Sequence, residues 1–245
     1  MSGLRLRVCS GVQIVARVAS DWVEEHARGS SGFGFAVGRS VEDTYRELAA
    51  RKADLGGVRG FTIDELHPMD PSDERTFAAR LDALLGSSDL TVERFDPRAG
   101  DPDREAARID ALAAQIGLSG CVLGLGPNGH LAFNEPGEPF GAPPRFVRFL
   151  PETLAHLGGA DAVAPAKGGM TMSLRTILSA DALLLVVGGQ KQDAFERLIW
   201  GPLTMDLPAS ILRLHPDVTI LTSREQAEER LDELLELPRI ETVDG

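Results

Sequence analysis

Short runs rich in β-branched and aromatic residues alternate with amphipathic helical stretches along almost the whole chain, and this alternation limits its fold most. Leu4–Cys9 and Phe33–Val37 are expected strands, separated by a helical stretch carrying Val15, Val18, Trp22 and Val23 at helical spacing. Ser40 is the expected N-cap of the next helix, with Asp43 as its capping-box partner. Further strands are expected at Gly57–Thr62, Leu90–Phe95, Cys121–Leu125, Arg145–Phe149, Ala182–Val187 and Val218–Thr222. Helices are expected at Thr76–Leu85, Asp103–Ile116, Gln190–Trp200 and Ser223–Leu235. Such an order implies an α/β fold, a mostly parallel, doubly wound sheet with helices on both faces. The polar segment Asp96–Arg104, with Pro97 and Pro102, is too short for a domain linker, and no repeat is present. The 245 residues are therefore read as a single domain.

Composition narrows the function classes. The chain carries 25 Lys and Arg against 37 Asp and Glu, a formal charge of −12. That balance argues against nonspecific nucleic-acid binding, which relies on neutralising phosphates with basic side chains. A local cationic cluster for a small anion remains compatible with it. Cys9 and Cys121 form no CxxC pair and are read as buried small hydrophobes in a reduced compartment. Arg17 interrupts the N-terminal apolar stretch, and Ala182–Val187, the longest clean apolar run, is far short of a membrane span. The expectation is a cytoplasmic protein without membrane partners.

In open parallel sheets, ligands bind outside the carboxyl ends of the strands. Four segments fall there: Val37-Gly38-Arg39-Ser40, Thr62-Ile63-Asp64-Glu65, Gly124–His130 and Gly188-Gly189-Gln190-Lys191. The first and last set glycines before a helix N-terminus, where free N–H groups and the helix dipole favour an anion. Gly38, Arg39, Ser40 and Lys191 are accordingly the candidate phosphate ligands. No HExxH motif or Cys/His cluster argues for a metal.

The third segment continues as Gly124-Leu125-Gly126-Pro127-Asn128-Gly129-His130-Leu131-Ala132-Phe133-Asn134-Glu135-Pro136-Gly137. It resembles the signature of glucosamine-6-phosphate deaminases (isomerases). Phe61–Glu65 is similar to that family's F-x-x-D-E strand end. Gly188–Lys191, Gly201–Thr204, Pro208–Ser210 and Leu214–Pro216 are similar to its G-x-x-K, G-P-x-T, P-A-S and L-H-P series. The related phosphogluconolactonases share the Gly-rich half and the Asp-Glu pair but lack the Phe-Asn-Glu-Pro continuation. The resemblance implies a phosphorylated amino-sugar substrate, ring opening followed by aldose–ketose isomerisation with loss of ammonia, and no cofactor or metal.

The residue types suit that chemistry. His130 can shuttle a proton near neutral pH, Asp64 would accept the C2 proton, and Glu135 would orient the imidazole. Glu65 shapes the loop. Plainer roles exist for each: a structural loop histidine, a turn carboxylate and a surface carboxylate before Pro136. Three departures stand out. Asn128 occupies the usual Asp position of the signature, and the phosphate loop reads Val-Gly-Arg-Ser-Val instead of Thr-Gly-Ser-Thr-Pro. The stretch after Glu152-Thr153 lacks the family's arginine, with Leu154 and Gly159 in that neighbourhood. Arg145 survives from an S-R-T-R run and joins the candidate phosphate ligands, while Arg175 is a substitute cation at most. Two other readings stay open: a lactonase acting on a sugar-acid phosphate, and a sugar-phosphate-binding regulator without turnover. The assembly is expected to be a monomer or a small homo-oligomer.

Overall fold

Strand residues alternate between two apolar layers, so the central sheet is buried on both faces. The structure is a computed structural model that describes residues 3–86, 90–189, 191–227, 231–236 and 240–244. The chain begins β1 (Leu4–Cys9), α1 (Val12–Ala27), β2 (Gly32–Phe35), α2 (Arg39–Arg51), β3 (Arg59–Thr62) and β4 (Asp64–His67). It continues with α3 (Phe77–Leu85), β5 (Thr91–Glu93), α4 (Pro102–Ile116), β6 (Gly120–Gly124), β7 (Arg145–Arg148), α5 (Pro151–His156) and α6 (Ala160–Val163). Then come β8 (Gly168–Thr171), α7 (Leu174–Ile177), β9 (Ala182–Val186), α8 (Gln192–Trp200) and a 3₁₀ helix at Pro208–Leu214. The chain closes with β10 (Val218–Ser223), α9 (Arg224–Ala227), α10 (Leu231–Leu235) and β11 (Ile240–Val243).

Eight strands form one sheet in the order β11-β1-β10-β9-β6-β2-β3-β5, and every pairing in it is parallel. In β9, Leu183 and Leu185 face a core shared with Ile109 of α4 and Phe195 and Leu198 of α8. Leu184 and Val186 face the opposite core, with Trp22 of α1, Tyr45 and Leu48 of α2 and Leu81 of α3. The expected α/β fold with helices on both faces is what the structure has. Local signals set several boundaries. The Thr76 hydroxyl accepts the Ala79 N–H at 3.2 Å and starts α3. Asp101 accepts the Arg104 N–H at 3.0 Å ahead of Pro102, the first residue of α4.

Other expectations need correction. Ser40 is not the cap of α2; Gly38 holds that position without a side-chain hydrogen bond, and Asp43 pairs with Arg46 instead. The Ser40 hydroxyl is engaged elsewhere, by Lys191. The helix expected from Gln190 begins at Gln192, with Lys191 as its N-cap; Gln190 itself lies outside the described residues. Ser223 ends β10, and its hydroxyl accepts the Gln226 N–H at 3.2 Å at the start of α9, which begins one residue later than expected. The closing helix is seen as two short pieces, and residues 228–230 between them lie outside the described residues. Arg145–Arg148 is a strand, but it belongs to a separate antiparallel sheet in the order β4-β8-β7. The sequence reading did not anticipate β4, β8 or β11. The first two read Asp-Glu-Leu-His and Gly-Gly-Met-Thr, compositions with little intrinsic strand preference.

Glu65 joins the small sheet to α3. It is fully buried, and its carboxylate accepts the N–H groups of Phe77 at 2.7 Å, Ala78 at 2.9 Å and Leu66 at 2.8 Å. Two of those donors belong to the first turn of α3, where no intrahelical acceptor exists. We predict that Glu65→Ala lowers unfolding free energy by about 3 kcal/mol, because buried donors lose a charged acceptor. Urea unfolding measures this, and an unchanged midpoint would show that water replaces the carboxylate without cost.

Candidate active site

Loops following β2, β3, β6 and β9 meet at the carboxyl end of the sheet, around a cavity of about 120 Å³. Its lining includes Gly38, Arg39, Ser40, Asp64, His130 and Lys191, six of the nine residues the sequence singled out.

The β6 loop holds His130 by close backbone approach. A Cβ on Gly126 would lie 2.5 Å from the imidazole, so only glycine fits beneath the ring. Gly129 adopts φ +84°, the left-handed region that glycine enters without steric cost. Asn128 then fixes the ring. Its Nδ2 donates to Glu135 Oε2 at 2.9 Å, leaving Oδ1 to accept from His130 Nδ1 at 2.8 Å and from the His130 backbone N–H at 3.2 Å. An ionised carboxylate offers no hydrogen, so this chain of partners orients the amide and assigns the imidazole proton to Nδ1. Nε2 is left as the free base.

Glu135 reaches His130 Nδ1 only at 3.6 Å, so Asn128 stands between them in the hydrogen-bond chain. Thr153 completes the group: its hydroxyl donates to Glu135 Oε1 at 2.6 Å and lies 3.3 Å from His130 Nδ1. Burial pushes the Glu135 pKa up, but the hydrogen bonds and charge of this cluster outweigh it and hold the carboxyl below its usual range. The sequence reading used Thr153 only as a landmark; its proximity to the imidazole depends on α5 packing over the loop.

Asp64 is only 6% exposed, and its Oδ1 has no hydrogen-bond partner. Burial, reinforced by the neighbouring Glu65 and opposed by Arg80, raises its pKa well above the usual carboxylate value. A carboxyl group so placed exchanges a proton at a higher pH than a solvated one.

At the other side of the cavity, Lys191 is 7% exposed and donates from Nζ to Ser40 Oγ at 2.8 Å. Burial, with a contribution from Arg39, pushes its pKa down to about 8. Gly38 caps α2 and Arg39 and Ser40 form its first turn, so backbone donors flank the ammonium. Arg39 donates to the His156 carbonyl at 2.8 Å. His156, which the sequence reading passed over, also lines this cavity.

Arg145 is not part of this group. It points to Pro143 O at 3.0 Å and Asn134 Oδ1 at 3.5 Å, with the Glu138 carboxylate 3.8 Å away. Its strand belongs to the antiparallel sheet, and the arginine lines neither this cavity nor the larger one beside it. Arg175 is exposed on α7 and lines neither as well. Among the described residues, no three His, Cys, Asp or Glu side chains converge as metal ligands, and no helix is long and apolar enough to cross a membrane.

Comparison with known proteins gives a consistent picture. A family model described as glucosamine-6-phosphate isomerases/6-phosphogluconolactonase matches residues 10–221. A glucosamine-6-phosphate deaminase of Ligilactobacillus salivarius is 32% identical over 201 residues, covering 80% of this chain and 86% of the relative. Glucosamine-6-phosphate deaminase 1 of Bacillus subtilis is 32% identical over 229 residues, covering 88% and 93%. The solved structure of a monomeric glucosamine-6-phosphate deaminase superposes with a TM-score of 0.85 at 27% identity, covering 93% of this chain and 100% of that one. A 6-phosphogluconolactonase from Trypanosoma cruzi shares the fold, with a TM-score of 0.75 at 17% identity.

Asp64 also leaves a signature in stability. An acid whose folded pKa is raised binds its proton more tightly folded than unfolded. Its contribution is therefore complete below the unfolded value, near 3.9, and is lost as pH rises through the folded value. We predict that Asp64→Asn abolishes this loss, so that the variant gains thermal stability over the wild type as pH climbs from about 4 to neutrality. Parallel melting curves across that range would contradict the burial argument.

Proposed function

The chain belongs to the family of glucosamine-6-phosphate isomerases and 6-phosphogluconolactonases, and from that premise we propose that it is a glucosamine-6-phosphate deaminase. The observation that carries the reading is one cavity with an unpartnered buried carboxylate oxygen of Asp64, an oriented His130 and a buried Lys191. The overall conversion takes a phosphorylated amino aldose and water to a ketose phosphate and ammonia. Each step needs a proton carrier at a defined atom.

The cyclic sugar opens when the proton on O1 is withdrawn and O5 receives one. His130 supplies this relay from Nε2, because Nδ1 is committed to Asn128. Glu135 and Thr153 hold the imidazole in place through Asn128 while the proton is in transit. In the open chain, Asp64 takes the proton from C2 while O1 takes one from the substrate's own ammonium group, giving a neutral enolamine; Asp64 then returns its proton to C1, leaving an iminium at C2. A carboxyl with a raised pKa can hold that proton between the two carbons. Water then adds to the C2 iminium and ammonia leaves. Lys191, Ser40, Gly38 and the Arg39 guanidinium hold the phosphate. Arg145 is left out of this set. The protein is proposed to act in the cytoplasm as a monomer or small homo-oligomer, consistent with the monomeric solved relative.

Four outcomes are expected. Glucosamine 6-phosphate yields ammonia and fructose 6-phosphate in equal amounts, and turnover persists after exhaustive chelation; loss with EDTA and recovery with a divalent ion would contradict the mechanism. Asp64→Asn eliminates turnover without loss of fold. Lys191→Ala weakens binding of the phosphorylated sugar by about 1.5–3 kcal/mol and barely alters binding of unphosphorylated glucosamine. In the wild type, KM rises as pH passes about 8, where the Lys191 ammonium loses its proton. The Lys191→Ala variant should lack that rise, and an identical rise in both proteins would remove Lys191 from the phosphate site.

A further inference from the structure

Helix α5 carries a second consequence for the phosphate end of the cavity. The sequence resemblance places an arginine just after Glu152-Thr153, and this chain has Leu154 there. Leu154 is partly buried against the apolar core that contains Phe133 and Val163. Two helical positions correspond to a rotation of roughly 200°, and His156 accordingly faces away from that core. It lines both the small cavity with Asp64 and His130 and an adjoining cavity of about 950 Å³. Arg39, Ser40 and Lys191 are the other residues that line both. His156 therefore stands at the same junction as the buried ammonium and the first turn of α2, and the Arg39 guanidinium ties its backbone to that turn at 2.8 Å.

We propose that His156 is a direct ligand of the substrate's phosphoryl group, standing in for the cation that Leu154 does not supply, and that it takes up a proton as the anion binds. The identity of the anion rests on the deaminase reading; the binding site and its proton do not.

Electrostatics of the junction explain why proton and anion arrive together. Burial, then neighbouring positive charge led by Lys191, pushes the His156 pKa down to about 4. The imidazole is thus neutral in the free protein near neutral pH. The carboxylates facing the junction are Asp43 on α2, Glu152 on α5 itself and Glu225 on α9, all lining the larger cavity, with Asp64 across the smaller one. A bound dianion reverses the balance of charge at the imidazole, and an opposite charge at hydrogen-bond distance raises a pKa by about 1–3 units. A permanently charged arginine would repel Lys191 and Arg39 in the empty site. A histidine acquires its charge only when the phosphate is present to compensate it.

Sulfate separates this inference from the reading of the reaction, because it remains a dianion throughout the useful range and is not turned over. Calorimetric titration with sulfate at about pH 6, in buffers of different ionisation enthalpy, counts the protons taken up. Lys191, with a pKa of about 8, is charged both free and bound at that pH and contributes none. The wild type is expected to take up a substantial fraction of a proton per sulfate. His156→Gln is expected to bind sulfate about tenfold more weakly and to take up correspondingly fewer protons. Unchanged affinity overturns the proposal. Weaker binding with unchanged uptake overturns it as well, since the proton then belongs to another group. Thermal unfolding checks that the variant is folded, and the wild-type uptake tests the proposal without any substitution: no uptake refutes it. Ammonia release from glucosamine 6-phosphate is scored separately. A protein that binds sulfate with proton uptake but releases no ammonia keeps this inference and loses the deaminase reading.

Discussion

Burial of both faces of an all-parallel sheet is the constraint from which the site follows. Strands such as β9, with all five residues buried, leave no place for polar side chains along their length. Polar chemistry is confined to the strand ends, and parallel strands put all their carboxyl ends on one side. Loops after β2, β3, β6 and β9 therefore converge at that end of the sheet. Asp64 is the sharpest case, since it starts β4 only two residues after β3 ends and is fixed by the neighbouring Glu65. The staple that anchors α3 thus also sets the position of the carboxylate in the cavity.

Charge is distributed to match. A chain of net charge −12 needs local concentration of cations to hold an anion. Many of its arginines are consumed in surface ion pairs, such as Arg46 with Glu42 and Asp43, Arg51 with Asp21 and Glu24, and Arg108 with Glu105. Arg39 instead spends a hydrogen bond on a backbone carbonyl, which keeps its charge uncompensated beside Lys191. The cost of that crowding is visible in the depressed pKa values of Lys191 and His156, both pushed toward neutrality by burial and by their cationic neighbours. An incoming phosphate relieves the crowding, which makes the repulsion a source of selectivity for dianions over neutral sugars.

Much of this was legible in the sequence because strong local signals point the same way as the tertiary structure. The apolar run of β9 and the amphipathic pattern of α4 each report burial that the fold preserves. The Phe61–Glu65 strand end, the signature around His130 and the Gly188–Lys191 segment point to Asp64, His130 and Lys191, all of which line one cavity. Other features depend on contacts that no local pattern encodes. The small antiparallel sheet pairs residues about a hundred positions apart, Asp64 with Thr171, through segments of weak strand preference. Arg145 matched a family run yet lies on that second sheet, drawn to Glu138 and Asn134. His156 was passed over because nothing marks it within Pro151–His156; only the packing of α5 against the loops after β2 and β9 gives it a role.

Asn128 shows how a departure from a motif is resolved by its surroundings. From sequence alone, exchanging an aspartate for an amide looks like the loss of a charge beside the imidazole. In the folded chain the same side chain touches Glu135 Oε2 at 2.9 Å and His130 Nδ1 at 2.8 Å. A carboxylate at this position would face Glu135 at hydrogen-bond distance, and two carboxylates so close cannot both ionise; they would share a proton and titrate as a pair. The amide avoids that conflict by donating to one neighbour and accepting from the other. Its cost is one charge next to His130; its gain is a Glu135 that stays ionised and an imidazole whose proton is fixed on Nδ1. The negative charge nearest His130 is then that of Glu135, one link further along the hydrogen-bond chain. Thr153 then becomes necessary, because it satisfies the second Glu135 oxygen that would otherwise be buried without a donor. The departure at Asn128 and the unanticipated role of Thr153 are thus two parts of one arrangement.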